Sequence, residues 1–212
     1  MIRKCYTIDI DNHNLLFTEF EHYSLQHKMK QNLLIIPGFG ESTDEFPYQF
    51  LSKKYKKKFN VIMHNPIWKY RTASDWLRGL QGIINSIDVP NTTVVSFSFG
   101  AYITLIASEI YPFHKVILCS VSPFFREQLS HLPKPAEVFL GKRRFADFST
   151  HKIPKTIISP SVFLFGSADW SVGIDEAKRL AKVYKGTFEV VPNTYHELTD
   201  EYLKKIASYI YQ

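Results

Sequence analysis

The stretch TTVVSFSFGAYITLIASEIYP, residues 92–112, carries the clearest indication of the fold. It opens with an apolar run typical of a strand buried on both faces, and its second half predicts a helix that stops at Pro112. Between the two stands Ser98, with Ser96 and Gly100 two positions to either side. Small neighbours of this kind are needed where a chain turns sharply from strand to helix around a serine. Taken alone, the same letters also fit an ordinary buried serine.

Apolar strands alternate with amphipathic helical patterns along the rest of the chain. Five further strands are predicted from the runs NLLIIPG, FNVIMHNP, KVILCS, SVFLFGS and TFEVVPN. Helices are predicted over residues 73–87, with Thr72 and Asp75 as a capping box, over residues 174–186 and from about residue 197. The opening residues 6–20 predict a hairpin. This order predicts one α/β domain, residues 1–212, with a mostly parallel central sheet and helices on both faces.

Composition excludes several classes of protein. The 212 residues are 45% hydrophobic, enough for a full core, and no stretch is long and apolar enough to span a bilayer. Two cysteines and no Cys/His cluster predict neither a disulfide framework nor a metal site, and they fit a reducing cytoplasm. The net charge is +6, and much of it lies in KKYKKK, residues 53–58. We interpret this run as the solvent-exposed face of a surface helix, because no nucleic-acid-binding motif accompanies it.

Three predicted strands are followed by the residue types of a nucleophilic site. Ser98 follows the strand of residues 92–97, Asp169 follows SVFLFG, and His196 follows TFEVV. Because active groups lie at the carboxyl ends of strands in an open parallel sheet, we expect the three to lie together. A serine hydroxyl becomes a good nucleophile when an imidazole takes its proton and a carboxylate fixes the imidazole tautomer, and no metal is required. Individually, Asp169 also fits a turn or helix cap, and His196 a surface or capping residue.

The turn PGFG, residues 37–40, follows the strand NLLII. Glycines at a strand end allow backbone amides to point towards an oxygen that gains negative charge. We therefore expect the amides of Phe39 and Phe99 to form an oxyanion hole. An ordinary loop with two glycines is the alternative.

Together these motifs resemble the α/β-hydrolase superfamily over nearly the whole chain. PGFG is similar to the family's oxyanion turn, SFSFG to its nucleophile elbow, GSAD (166–169) to its acid turn and NTYHEL (193–198) to its histidine loop. The resemblance implies an eight-stranded, mostly parallel sheet and acyl transfer or hydrolysis through Ser98. Two residues depart from the pattern: Pro37 stands where histidine is common, and Ser96 replaces the first elbow glycine. Neither departure removes a group that the mechanism uses.

The sequence therefore predicts a cytoplasmic serine hydrolase that cleaves a small-molecule ester or thioester through an acyl-enzyme, without a cofactor. Peptidase and acyltransferase chemistry stay open, because the shape of the pocket decides the leaving group. The competing class is a non-catalytic relative of the same fold that binds a ligand or acts as a scaffold. A binding module has no need to keep nucleophile, base and orienting acid together, and this favours the enzyme.

Residues 123–160 separate two predicted strands, and we expect them to form a small cap over the site. The segment contains five phenylalanines, which either line a pocket for a short to medium apolar acyl group or seal the cap against the body. Its basic cluster either meets an anionic part of the substrate or is a solvated surface, and it consists of Lys142, Arg143 and Arg144.

Four further residues are weaker candidates. Asp147 and Asp175 are alternatives for the acid, although Asp147 lies in the insert and Asp175 fits the first turn of a helix. His64 either lines the pocket or is a loop histidine, and Cys119 is interpreted as an inert core thiol.

Overall fold

A six-stranded parallel sheet forms the centre of the computed structural model, which describes residues 5–10, 13–18, 30–132 and 135–211. All five strand pairings in this sheet are parallel. The strands lie in the order β4-β3-β5-β6-β7-β8, with bounds β3 Asn32–Ile36, β4 Asn60–Met63, β5 Thr92–Phe97, β6 Lys115–Cys119, β7 Ser161–Gly166 and β8 Thr187–Val191. The α/β class and the six predicted parallel strands are confirmed.

The hairpin forms a sheet of its own. Strands β1 (Cys5–Ile10) and β2 (His13–Thr18) pair antiparallel, with Cys5 opposite Thr18 and Ile10 opposite His13. The eight-stranded sheet implied by the resemblance is therefore wrong for the described residues, because β1 and β2 pair with each other rather than extending the central sheet. Residues 1–4, the predicted turn at residues 11 and 12, and the predicted hairpin end at residues 19 and 20 lie outside the described part of the chain.

Successive side chains of each strand point to opposite faces of the sheet and pack into two hydrophobic cores, one on each face. On one face, Leu34, Val94 and Leu118 pack beneath α2 (Ala73–Ile84), α3 (Phe99–Ala107) and α6 (Ser171–Val183). On the other face, the strands pack beneath α1 (Phe46–Tyr55) and α7 (Asp200–Ile210) through alternate residues such as Leu33, Val95 and Ile117. The predicted covering of both faces by helices is confirmed.

Local chemistry sets the helix boundaries. Helix α2 begins after Thr72, whose backbone N–H donates to the Asp75 carboxylate at 3.0 Å, as the predicted capping box requires. Helix α3 ends at Ala107 rather than at Tyr111. The amides of Glu109 and Ile110 donate to the carbonyls three residues before them, which is the tighter hydrogen-bond pattern that ends many helices. Helix α7 begins at Asp200 rather than near residue 197, because Thr199 is its N-cap.

The described residues of the predicted cap segment contain two short helices, α4 (Pro135–Leu140) and α5 (Lys142–Phe148). Phe124 and Phe148 from this segment are buried and stack on the Phe99 ring, with centroids 5.0 and 5.5 Å away. In the described residues, no helix is both long and apolar enough to cross a membrane.

Candidate active site

The turn between β5 and α3 holds Ser98 in a strained backbone conformation. Its φ is 53° and its ψ −117°, a region that residues with side chains rarely occupy. A Cβ on Gly100 would press against the carbonyl oxygen of Pro37 and lie 2.8 Å from that of Ile36, so the start of α3 can approach β3 only with glycine at this position. Ser96, at the other small position, is buried, and its hydroxyl has no hydrogen-bond partner in the described residues.

The three residues that follow β5, β7 and β8 meet at one end of the sheet. Nε2 of His196 lies 2.9 Å from Oγ of Ser98. Nδ1 of the same ring lies 3.0 and 3.2 Å from the two carboxylate oxygens of Asp169. The structure therefore brings the predicted serine, histidine and aspartate together in a chain of hydrogen bonds.

The Asp169 carboxylate is enclosed and well supplied with donors. Burial raises its pKa, but hydrogen bonds from His196 and Ser120 outweigh that effect and hold the pKa below its ordinary value. The backbone N–H of Trp170 donates to the same carboxylate at 2.7 Å. Asp169 is thus kept as an ionised acceptor opposite the imidazole.

Backbone contacts fix the distance between the acid turn and the histidine loop. The amide of Ala168 donates to the carbonyl of Thr194 at 2.9 Å. A Cβ on Gly166 would lie 2.5 Å from the carbonyl oxygens of both Thr194 and Tyr195, so glycine permits this close approach. These contacts hold the predicted acid turn and histidine loop directly against each other.

Two aromatic rings hold the imidazole plane of His196. The indole of Trp170 lies parallel to it, with an interplanar angle of 3° and centroids 5.1 Å apart. The ring of Phe97 packs with its centroid 5.0 Å away, tilted by 39°. These contacts restrict rotation of the imidazole and leave its two nitrogens facing Ser98 and Asp169.

The turn after β3 is held by a carboxylate. The side chain of Glu41 accepts a 2.8 Å hydrogen bond from the amide of Gly38 and a further one from the hydroxyl of Tyr48 on α1. Gly40 has a φ of 81°, and the amide of Glu41 donates to the carbonyl of Gly38 at 3.1 Å, which closes a tight turn. This network holds the turn although Pro37 replaces the histidine that the resemblance leads us to expect.

Phe39 and Phe99 face each other across the site, with ring centroids 5.5 Å apart. Phe39 is the third residue of the PGFG turn, and Phe99 is the first residue of α3, whose amide has no acceptor within the helix. Within the described part of the chain neither amide donates to a protein acceptor.

An apolar cavity of about 530 Å³ lies beside α4, and its wall in the described residues includes neighbours of Ser98 and His196 but not Ser98, Asp169 or His196 themselves. Phe99 and Trp170 belong both to its wall and to the surroundings of Ser98 and His196. Most of the remaining wall comes from the predicted cap, including Phe124, Leu132, Phe139 and Leu140. A groove of about 620 Å³ nearby has the acidic side chains of Glu127, Asp175 and Glu176 in its wall and contains none of the triad residues.

The weaker candidates lie away from the His196 ring. Asp147 accepts hydrogen bonds from the amide and hydroxyl of Ser74, at 3.0 and 2.7 Å, and so links α5 to α2. Asp175 is on α6. His64 lines a separate cavity of about 350 Å³. Cys119 is fully buried on β6, and burial raises the pKa of its thiol, which makes it unreactive.

The two arginines of the basic cluster on α5 differ in their contacts. The Arg144 guanidinium donates to the backbone carbonyls of Arg71, Trp68 and Leu140, at 2.8, 3.0 and 3.2 Å, and lies 5.1 Å from the centroid of the Phe39 ring. Three of its five N–H donors are therefore already bonded to backbone carbonyls. Arg143 is exposed and lies 4.0 Å from the Asp75 carboxylate.

Sequence reasoning missed four residues that support the site: Ser120, Ser122, Glu41 and Trp170. The two serines follow β6, so the carboxyl end of the KVILCS strand is the signal that predicts their position at the site. Glu41 and Trp170 had no such signal, because their roles depend on contacts with other loops. In the described residues, no three side chains of His, Cys, Asp or Glu converge on a metal site.

A sheet of this topology, with a serine on the turn after its third parallel strand along the chain and acid and histidine on later loops, defines an α/β hydrolase. A protein-family model described as serine hydrolase matches residues 33–206, and the chain belongs to that family. Comparison with curated proteins gives no match.

Solved structures of α/β hydrolases share this fold. Est1E from Butyrivibrio proteoclasticus, solved with ferulic acid bound, aligns with a TM-score of 0.70 at 14% identity over 96% of this chain and 95% of its own. Alpha/beta hydrolase domain-containing protein 10 from mouse aligns with a TM-score of 0.65 at 14% identity, over 98% and 96% of the two chains. The ydeN gene product from B. subtilis gives 0.63 at 18% identity, over 86% of this chain and 100% of the other.

Proposed function

We propose that this serine hydrolase is an esterase that acts through a Ser98–His196–Asp169 triad and an acyl-enzyme. One observation carries the proposal: the His196 ring is hydrogen bonded on one side to a serine hydroxyl and on the other to a buried carboxylate. That arrangement matches the roles of nucleophile, base and orienting acid. A thioester is the alternative substrate, because the same attack on a carbonyl carbon cleaves it.

The mechanism proceeds in two halves. Ser98 Oγ attacks the carbonyl carbon while its proton passes to His196 Nε2, and the amides of Phe39 and Phe99 stabilise the resulting oxyanion. Collapse of this intermediate expels the alcohol, which takes the proton from His196. Water then attacks the acyl-enzyme with His196 again as base, and the acid is released as Ser98 regains its proton.

The apolar cavity suits the acyl part of the substrate. Among the described residues, its wall carries no acidic, lysine or arginine side chain and a single histidine, His131, so a charged acyl group would lose most of its hydration there. We propose that residues 123–160 cap this cavity and that a short to medium apolar acyl chain occupies it.

Active-site labelling tests the proposal directly. A fluorophosphonate probe should label the protein at Ser98, and Ser98→Ala should abolish both labelling and hydrolysis of p-nitrophenyl esters while the melting temperature stays nearly unchanged. A graded series from acetate to dodecanoate, run beside acyl-CoA substrates, measures the preferred acyl length and leaving group. A folded protein that neither reacts with the probe nor turns over any ester would belong to the ligand-binding class instead.

A further inference from the structure

Ser122 is a buried residue that touches the oxygen of the proposed nucleophile. It follows β6, is 1% exposed, and its Oγ lies 3.1 Å from Oγ of Ser98. In the described part of the chain this is its only side-chain hydrogen bond. Ser98 Oγ therefore lies between two partners, His196 Nε2 and Ser122 Oγ.

The direction of each hydrogen bond follows from counting protons. Asp169 is ionised and can only accept, so the proton of the neutral imidazole must be on Nδ1 of His196. Nε2 then carries no proton and can only accept, so the Ser98 hydroxyl donates its one hydrogen bond to Nε2. Ser98 has no further proton to give, so Ser122 is the donor in the bond between the two hydroxyls.

We propose that Ser122 is a catalytic residue of the deacylation half of the reaction, where its hydroxyl stabilises Ser98 Oγ as the leaving group. This inference rests on the proposed esterase function. It adds a donor to the bridging oxygen, whereas the Phe39 and Phe99 amides serve the carbonyl oxygen.

The two halves of the reaction differ in how well Ser98 Oγ accepts a hydrogen bond in the state from which each half begins. During acylation Oγ forms a bond to carbon and loses its proton to His196, and its lone pairs become weaker acceptors. During deacylation the bond between the acyl carbon and Oγ breaks, the electron pair moves to Oγ, and the proton on His196 Nε2 returns to it. Attack by Ser98 and its later expulsion pass through the same kind of transition state, with partial negative charge on Oγ. The free Ser98 hydroxyl already accepts well from Ser122, whereas the ester oxygen of the acyl-enzyme accepts weakly, so the hydrogen bond from Ser122 strengthens most during deacylation.

A purely positioning role predicts the opposite pattern. If Ser122 did no more than orient the free Ser98 hydroxyl, its loss would slow attack by Ser98. In the acyl-enzyme, Ser98 is already held by a covalent bond to the acyl group, so deacylation would be spared. The ratio of the two rates therefore separates the two roles.

The experiment measures kcat and the acylated fraction of the enzyme at saturating p-nitrophenyl butyrate, the fraction by acid quench and intact mass spectrometry. Deacylation is kcat divided by that fraction, and acylation is kcat divided by the remaining fraction. For Ser122→Ala we expect deacylation to fall about tenfold, acylation to change by less than about twofold, and the acylated fraction to rise. Ser161→Ala is the control, since it also removes a buried serine hydroxyl, one without a partner in the described residues, but at the opposite end of the sheet.

Two results overturn the Ser122 role while leaving the esterase in place: acylation slowed as much as deacylation, or neither rate changed in an enzyme that still forms the adduct on Ser98. Absence of any acyl adduct in the wild-type protein would instead remove the esterase proposal and the Ser122 role together.

Discussion

The elbow depends on Gly100, where α3 comes closest to the end of β3. We expect Gly100→Ala to destabilise the fold by about 1–3 kcal/mol and to lower esterase activity, because the added Cβ must displace backbone carbonyls rather than flexible side chains. Gly82→Ala on α2 is the matched control. A Cβ there meets nothing within 4 Å, and alanine should stabilise the helix by about 0.5–1 kcal/mol. Urea unfolding measures both, and equal effects of the two substitutions would contradict the steric explanation.

Ser96 replaces the first glycine of the elbow and contributes a buried hydroxyl without a partner among the described residues. Such a group loses its hydrogen bonds to water on folding and gains none in return. We therefore expect Ser96→Ala to keep or raise the free energy of unfolding, by up to about 1 kcal/mol, with esterase activity retained. A clear loss of stability in chemical denaturation would show that the hydroxyl is bonded in solution.

Arg144 joins α5 to the loop that precedes α2. Its guanidinium binds the carbonyls of Trp68 and Arg71 and covers the Phe39 ring, so it also supports the turn that carries the proposed oxyanion donor. We expect Arg144→Met to lower stability by about 1–2 kcal/mol and to reduce kcat for a neutral ester. Arg143→Met, at an exposed side chain, should stay within about 0.5 kcal/mol of wild type.

Arg143→Met also tests whether α5 recognises an anionic substrate. If Arg143 contacts an anion, Arg143→Met will raise KM for an acyl-CoA and leave a neutral ester of the same acyl chain unchanged. Equal KM values for the wild type and the variant on both substrates would assign Arg143 to the solvated surface.

Each element that contains a continuous apolar run could be predicted from the sequence. The runs ending at Phe97, Gly166 and Val191 are strands of a sheet covered on both faces, and the triad residues follow them closely. The exact ends of the helices could not be predicted, because single contacts such as the Thr199 cap decide them. The tight turn after β3 needed Tyr48, whose contact with Glu41 exists only when α1 packs against the sheet.

The order of the strands brings residues that are distant in sequence to one edge of the sheet. The central position of β5, between β3 and β6, places the Ser98 turn beside Phe39 on one side and beside Ser120 and Ser122 on the other. Apolar runs identify strands but carry no order across the sheet, so the hydrogen bond from Ser122 to Ser98 could not be predicted from the strands one at a time. Parallel strands direct all their carboxyl ends to the same edge, which explains why the proximity of Ser98, Asp169 and His196 was predictable.

The stability of the folded chain should depend on pH through His64, at the end of β4. Its ring is buried, Nε2 has no partner among the described residues, and burial lowers its pKa. Above the ordinary histidine value of about 6.5 the ring is neutral in both states, so it adds no pH dependence. Below that value the unfolded chain takes up a proton that the folded chain resists, so the free energy of unfolding falls as the pH falls.

We expect His64→Leu to lose less stability than wild type between about pH 7.5 and 5.5 in thermal unfolding. His114→Leu, at an exposed histidine, should keep the wild-type loss, and an identical loss in His64→Leu would show that protonation of His64 costs the folded state nothing.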